Sequence, residues 1–310
     1  MKSGVWLSPL PFTAFSCLLA TALLVGCGPK AESIKIDGSS TVFPISEAVA
    51  ESYRDAAPKV RVTVGLSGTG GGMKKFTAGE IDICDASRGI KESEIASLDQ
   101  AKVGYTEFSV AFDGIAIVVN PANDWVDNLT VDQLASIWRP EDPVNKWSEL
   151  DPSWPDEPIK LYGPGTDSGT FEYFTEEIVG EAKKCRADFS ASEDDNVLVT
   201  GISEDKYSLG YFGFAYYAEN MDRLKVLGVV NGEGDPVVPS VETIRANTYA
   251  PLSRPLFIYV RNDLFERPTG QAFVDFYLKN TGKLAGEVGY VAVSDDVAAE
   301  NQSKYDALAK

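Results

Sequence analysis

Three times in this chain an alternating apolar run gives way to a short stretch of Gly, Ser and Thr and then to a helical period. Residues 33–37 lead through Gly38-Ser39-Ser40-Thr41 to Ile45, Val49 and Tyr53 at four-residue spacing, with Pro44 at the helix start. Val60, Val62 and Val64 alternate with polar residues and run into 67–72, which is followed by a short predicted helix over 73–78. Residues 159–162 pass through 163–169 to a helix with Phe171, Phe174, Ile178 and Val179 on one face, its first turns favoured by Glu172, Glu176 and Glu177. Strands that alternate with helices in this way predict an α/β chain of mainly parallel sheets flanked by helices. A further strand over 81–83 ends at Asp85-Ala86-Ser87-Arg88.

Size and charge narrow the possibilities. At 310 residues and 33.5 kDa there is room for one large or two medium domains. Two longer apolar strands, 114–120 and 256–261, bracket a central block and read as crossings between domains. Domain I is then 33–112 together with 257–310, and domain II is 113–256. No repeat of 20–50 residues is present. A formal net charge of −18 argues against nucleic acid as a partner. The complete absence of His removes Ser-His-Asp, Cys-His and His-ligated metal mechanisms.

The N-terminus reads as an export signal over 1–26: Lys2, an apolar stretch from Val5 to Val25 interrupted by Pro9 and Pro11, and the ending Leu24-Val25-Gly26-Cys27. That ending resembles the lipobox of bacterial lipoproteins, which makes Cys27 the lipidated first residue and 27–32 a linker from an envelope membrane. Cys84 and Cys185 remain, and their separation leaves open whether they pair or stay free.

Strand-to-helix loops rich in Gly, Ser and Thr present unpaired backbone N–H groups, hydroxyl donors and the positive end of a helix dipole, which together suit a small oxyanion. One such loop is an ordinary helix cap; three of them, with Arg88, point to a binding cleft. Rival motifs are weak. The 67–72 run lacks both the P-loop ending and GxGxxG spacing, because Met73 stands where the last Gly belongs. Ser203-Glu204-Asp205-Lys206 lacks the partner motifs of the SxxK enzymes. Asp194-Asp195 reads as a surface or capping pair, and the cluster Tyr211, Phe212, Phe214, Tyr216 and Tyr217 as core.

At these loops the sequence resembles the substrate-binding proteins of phosphate ABC transporters, most of all the lipoprotein branch found in cyanobacteria. The motifs are IDGSSTVFPI at 36–45, GLSGTGGGMKKF at 65–76, ASRGI at 86–90, DGIAIVVNP at 113–121, GPGTDSGTF at 163–171 and PLSRPLFIYV at 251–260. The resemblance implies a two-lobe, type II periplasmic-binding-protein fold hinged on two crossover strands. It implies high-affinity binding of inorganic phosphate between the lobes and delivery to permease subunits, by a monomer without catalysis or cofactor. It carries ligand roles to Ser40 and Thr41, Ser67, Ser87 and Arg88, and Ser168, Gly169 and Thr170. Two departures stand out: Pro164 occupies the place of an arginine found in many members, and Ser87 that of an aspartate that accepts the phosphate proton. Arg88 is the candidate replacement cation, and Asp85 or Asp167 the candidate acceptor. An exported phosphatase using Ser40 or Ser168 as nucleophile, and a binder of sulfate or molybdate, are the alternatives.

Overall fold

A computed structural model describes residues 1, 4, 32–166 and 168–309; the expected signal, Cys27 and Asp167 lie outside the described residues. Residues 32–310 form one compact unit. The chain runs β1 (Ser33–Gly38), α1 (Phe43–Ala56), β2 (Arg61–Leu66), α2 (Gly68–Thr77), β3 (Ile83–Ala86), α3 (Glu92–Ala101) and the 15-residue β4 (Tyr105–Val119). Next come β5 (Asn128–Thr130), α4 (Val131–Trp138), α5 (Trp147–Leu150), β6 (Lys160–Pro164) and α6 (Gly169–Phe174), the last continued by a π turn, Thr175–Val179. The middle closes with β7 (Ser190–Ser192), α7 (Asp195–Glu204), β8 (Ser208–Gly213), α8 (Phe214–Glu219), β9 (Lys225–Val226), β10 (Gly228–Val230) and α9 (Val241–Arg245). Finally β11 (Ser253–Arg261) leads into α10 (Pro268–Glu287), β12 (Val291–Ala292) and α11 (Asp295–Leu308).

The long sheet has the order β2-β1-β3-β11-β4-β8-β6-β7. The strands that carry the Gly/Ser/Thr loops are parallel within each half: β1 with β2 and β3, and β6 with β7 and β8. Each crossing strand runs antiparallel to the half it borders, β11 to β3 and β4 to β8, and the two run antiparallel to each other. β4 pairs with β11 over Tyr105–Gly114 and then with β8 over Ile115–Val119, so a single strand serves both halves.

Side chains form separate cores on either side of that changeover. Ile36, Ile45, Val49, Phe108, Ile258 and Tyr277 belong to one, and Ile117, Trp138, Phe171, Phe174 and Tyr211 to the other. Val291, from β12, packs into the second core although it lies late in the chain. Each fully buried Ile, Val or Phe contributes about 1.5–3 kcal/mol. The predicted apolar face of α1 is buried as Ile45, Val49 and Tyr53, with Tyr53 meeting Phe273 edge-on at 5.1 Å between ring centres. Tyr211, Phe212, Phe214 and Tyr217 are buried in the second core.

Two elements differ from the expectation. α2 begins at Gly68, five residues before the predicted start, despite four glycines in its sequence. Those glycines allow close packing: a Cβ on Gly72 would stand 2.7 Å from Gly38 Cα and 2.8 Å from Cys84 Sγ. The helix expected over 171–179 is split into α6 and the π turn, which keeps Phe171, Phe174 and Ile178 buried. Cys84 is buried and Cys185 half-buried, and both thiols are free. No helix among the described residues is long and apolar enough to cross a membrane.

Candidate functional site

A cleft of about 490 Å³ opens where the first three loops converge, and its lining includes Ser39, Ser40, Thr41, Thr69, Ser87 and Arg88. The parallel order of β1, β2 and β3 places the C-terminal ends of all three strands, and so all three loops, on one side of the sheet. The first loop is tied down from within. Ser39 N–H donates to Asp85 O at 3.0 Å, and Thr41 N–H donates to Ser39 Oγ at 3.2 Å. Neither α1 nor α2 has a side-chain hydrogen bond capping its first turn. Both helices bring the positive end of the dipole near the cleft, but only α2 offers its first N–H groups, since in α1 Phe43 N–H donates to Ser39 O, Ile45 and Ser46 N–H donate to Val42 O, and Pro44 has none.

The other expected ligands are placed unevenly. Ser87 N–H donates to Thr69 Oγ1 at 3.2 Å, which joins the second loop to the third. Ser67 does not line the cleft: it is exposed, and its hydroxyl donates to Asp37, whose other carboxylate oxygen takes Lys75 Nζ at 2.6 Å. Thr69, two residues on, supplies the cleft hydroxyl instead. Ser168 caps α6, its Oγ accepting from Thr170 N–H at 3.2 Å and Phe171 N–H at 3.5 Å, and neither it nor Thr170 is in the lining. Gly169 comes close to the first loop, since a Cβ built there would lie 3.2 Å from Thr41 Oγ1.

Arg88 lines the cleft, but its Nη1 and Nη2 fork onto Glu94 at 2.9 and 2.8 Å. That pair holds the Glu94 carboxyl below its ordinary range. Asp85 is fully buried beneath the first loop and is not in the lining; its Oδ1 accepts from Ser46 Oγ at 2.8 Å, while Oδ2 has no hydrogen-bond partner. Burial is the main reason its carboxyl is pushed up to about 7, with nearby Asp37 adding to the shift and Ser46 opposing it.

Several cleft residues carried no role in the sequence reading. Glu172, Glu176 and Glu177, expected only as dipole partners, line the cleft. Glu172 Oε2 accepts from Ser40 Oγ at 3.4 Å across the cleft and pairs with Lys183 at 3.5 Å. Burial first, and then the neighbouring Glu176, raises the Glu177 carboxyl. Arg254 also lines the cleft, donating from Nη2 to Thr41 Oγ1 at 2.8 Å and pairing with buried Asp113 at 3.3 Å. Its motif, 251–260, is conspicuous in the sequence, yet only the strand pairing brings it beside the first loop. Among the described residues no group of three or more His, Cys, Asp or Glu side chains is placed to hold a metal ion.

A model of the PBP superfamily domain matches residues 26–281. Protein SphX of Synechocystis is 49% identical over 282 residues, covering 88% of this chain and 84% of its own. Phosphate-binding protein PstS of Staphylococcus saprophyticus is 39% identical over 296 residues, 93% of this chain and 91% of its own. The crystal structure of a possible phosphate binding protein from Planctomyces limnophilus superposes with a TM-score of 0.86 at 46% identity, covering 90% of this chain and 99% of that one. The chain belongs to the PBP superfamily, among the relatives of PstS and SphX.

Membership accounts for the architecture. In this superfamily member the two-lobe fold places the cleft between parallel-sheet halves joined by crossing strands; two of the three Gly/Ser/Thr units recognised in the sequence, those after β1 and β2, line it, while the third, at 163–169, only approaches it where Gly169 lies beside Thr41.

Proposed function

We propose that this protein binds inorganic phosphate in the cleft between its two lobes and delivers it to the permease of an ABC transporter. One observation carries the reading: the loops after β1, β2 and β3, two of them Gly/Ser/Thr runs that start helices without side-chain caps, converge on one cleft that also holds two guanidinium groups. The relatives named for phosphate binding support the choice of anion. We assign the ligand contacts to Ser40, Thr41 and Ser87 from one lobe and to Ser168, Gly169 and Thr170 from the other, with Thr69 taking the place of Ser67; Arg88, expected as a ligand, stands at the cleft wall with its guanidinium committed to Glu94. The lobes correspond to 33–112 with 257–310, and to 113–256.

The cleft has room for a dozen or more waters at about 30 Å³ each, far more than one tetrahedral anion needs, so binding requires the lobes to close. Micromolar affinity corresponds to about 8 kcal/mol, less than the sum of several charge-assisted hydrogen bonds. Stripping water from the anion and closing the cleft consume the difference. The carboxylates lining the cleft, rather than buried Asp85, are placed to accept the proton that phosphate keeps near neutral pH; Asp167 is the other candidate. Sulfate has no proton to offer, and an unpaired carboxylate facing it disfavours its binding.

The family is one of transport receptors rather than enzymes, and this chain does no chemistry on its ligand. The protein works as a monomer, held at the envelope through a lipid on Cys27. Calorimetric titration with phosphate, sulfate, molybdate and a chromogenic phosphomonoester tests the reading. Phosphate should bind at least about a hundredfold more tightly than sulfate. The saturated sample should also contract in solution scattering, and the ester should not turn over. Preference for another anion, or steady release of the chromophore, would overturn it.

A further inference from the structure

The charge of an anion bound in the cleft has to be met by the cations that reach it. A desolvated anion is favoured most by charge-assisted donors held in fixed geometry. Two guanidinium groups reach the cleft. Arg88 has both terminal nitrogens committed to Glu94 of its own lobe, and its side chain is 31% exposed. Arg254 is the more enclosed, at 15%.

Arg254 is fixed on three sides. Its Nε and Nη2 both lie 3.3 Å from Asp113 Oδ2 on β4, and Nη2 also donates to Thr41 Oγ1 at 2.8 Å. Its flat face lies 3.5 Å over the ring of Tyr173, whose hydroxyl is itself anchored on Pro251 O at 2.6 Å. Nη1 has no hydrogen-bond partner among the described residues, and the side chain lines the cleft. A guanidinium whose other edges are held by β4, the first loop and α6 has its remaining donors pre-oriented. Thr41, whose oxygen lone pair is taken by Nη2, keeps its own proton available for the same ligand.

Building on the reading of this cleft as an oxyanion site, we infer that Arg254, supplied by crossing strand β11, is the cation that holds the bound anion's charge, while Arg88 braces its own lobe through Glu94. The charge then sits where both crossing strands, the first loop and α6 meet, so the anion is held fully only when the lobes are together. The competing role for Arg254 is simply to neutralise buried Asp113.

Titration of inorganic phosphate into the parent protein, Arg254→Met, Asp113→Asn, the double variant and Arg88→Ala separates these roles, with thermal melts on the same samples. The double variant is decisive because it removes both charges and leaves no lone buried ion. It should melt as a folded protein and bind phosphate about 30-fold or more weakly than the parent, while Arg88→Ala stays within about tenfold. A double variant that binds within about threefold of the parent overturns the assignment and leaves Arg254 as a partner of Asp113 alone. Arg88→Ala losing more affinity than the double variant also overturns it. If the parent takes another oxyanion in place of phosphate, the phosphate reading fails, and the same variants titrated with that anion decide Arg254. A parent that binds no oxyanion overturns both.

Discussion

Asp85 is the carboxylate whose surroundings depart furthest from water: no part of it is exposed, and Oδ2 has no partner. Its carboxyl titrates near 7 in the folded chain, against an ordinary value of 3.8. The folded state therefore holds a proton that the unfolded state has released, throughout the window between those values. Stability contributed at this site falls as pH rises from about 4 to about 7, and is level beyond. Asp85→Asn removes that dependence. In urea unfolding, the variant should gain on the parent progressively across this window, by up to about 4 kcal/mol. Parallel stability curves for the two proteins would show that Asp85 titrates normally. The same burial explains why Asp85 looked like a cleft residue in sequence and is not one. Period-two alternation on β3 puts Ser87 and Asp85 on the same face, but the chain turns into the cleft only after the strand ends at Ala86.

At the scale of elements, α2 shows where propensity and packing disagree. Its glycines predicted a loop, because each costs about 1 kcal/mol in a helix relative to Ala. The structure nevertheless makes a helix from Gly68 onward, since only a bare backbone lets it lie against β1 and β3. Gly72→Ala should destabilise the protein by about 1–3 kcal/mol through contact with Gly38, Cys84 and the Asp37 carbonyl. Gly70, with nothing within 4 Å of a built Cβ, provides the contrast. Gly70→Ala should be neutral or stabilising by about 1 kcal/mol, as helix propensity alone requires. Chemical denaturation of the two variants would expose the error if their midpoints coincide. Similarly, Ser67 looked equivalent to Ser40 in sequence, but the helix start turns its hydroxyl toward Asp37 and gives the cleft to Thr69.

For the whole molecule, attachment through Cys27 is the proposal to test. A protein held by one acylated residue should lose its membrane affinity when that residue cannot be modified. Cys27→Ser protein should leave the detergent phase in a partitioning assay; retention there would mean that the anchor lies elsewhere. The sequence by itself determined the α/β class, the three Gly/Ser/Thr junctions and the fact that the chain crosses between halves twice, because these follow from local periodicity and turn chemistry. It also excluded His-based chemistry outright. Only the tertiary structure decided which charged groups meet the cleft. Arg254 is 213 residues from Thr41 and reaches it because β11 lies between β3 and β4; Glu172 is 132 residues from Ser40 and meets it across the cleft. Such meetings depend on strand order and register, which are set by the packing of two cores at once, and no local pattern in the chain records them.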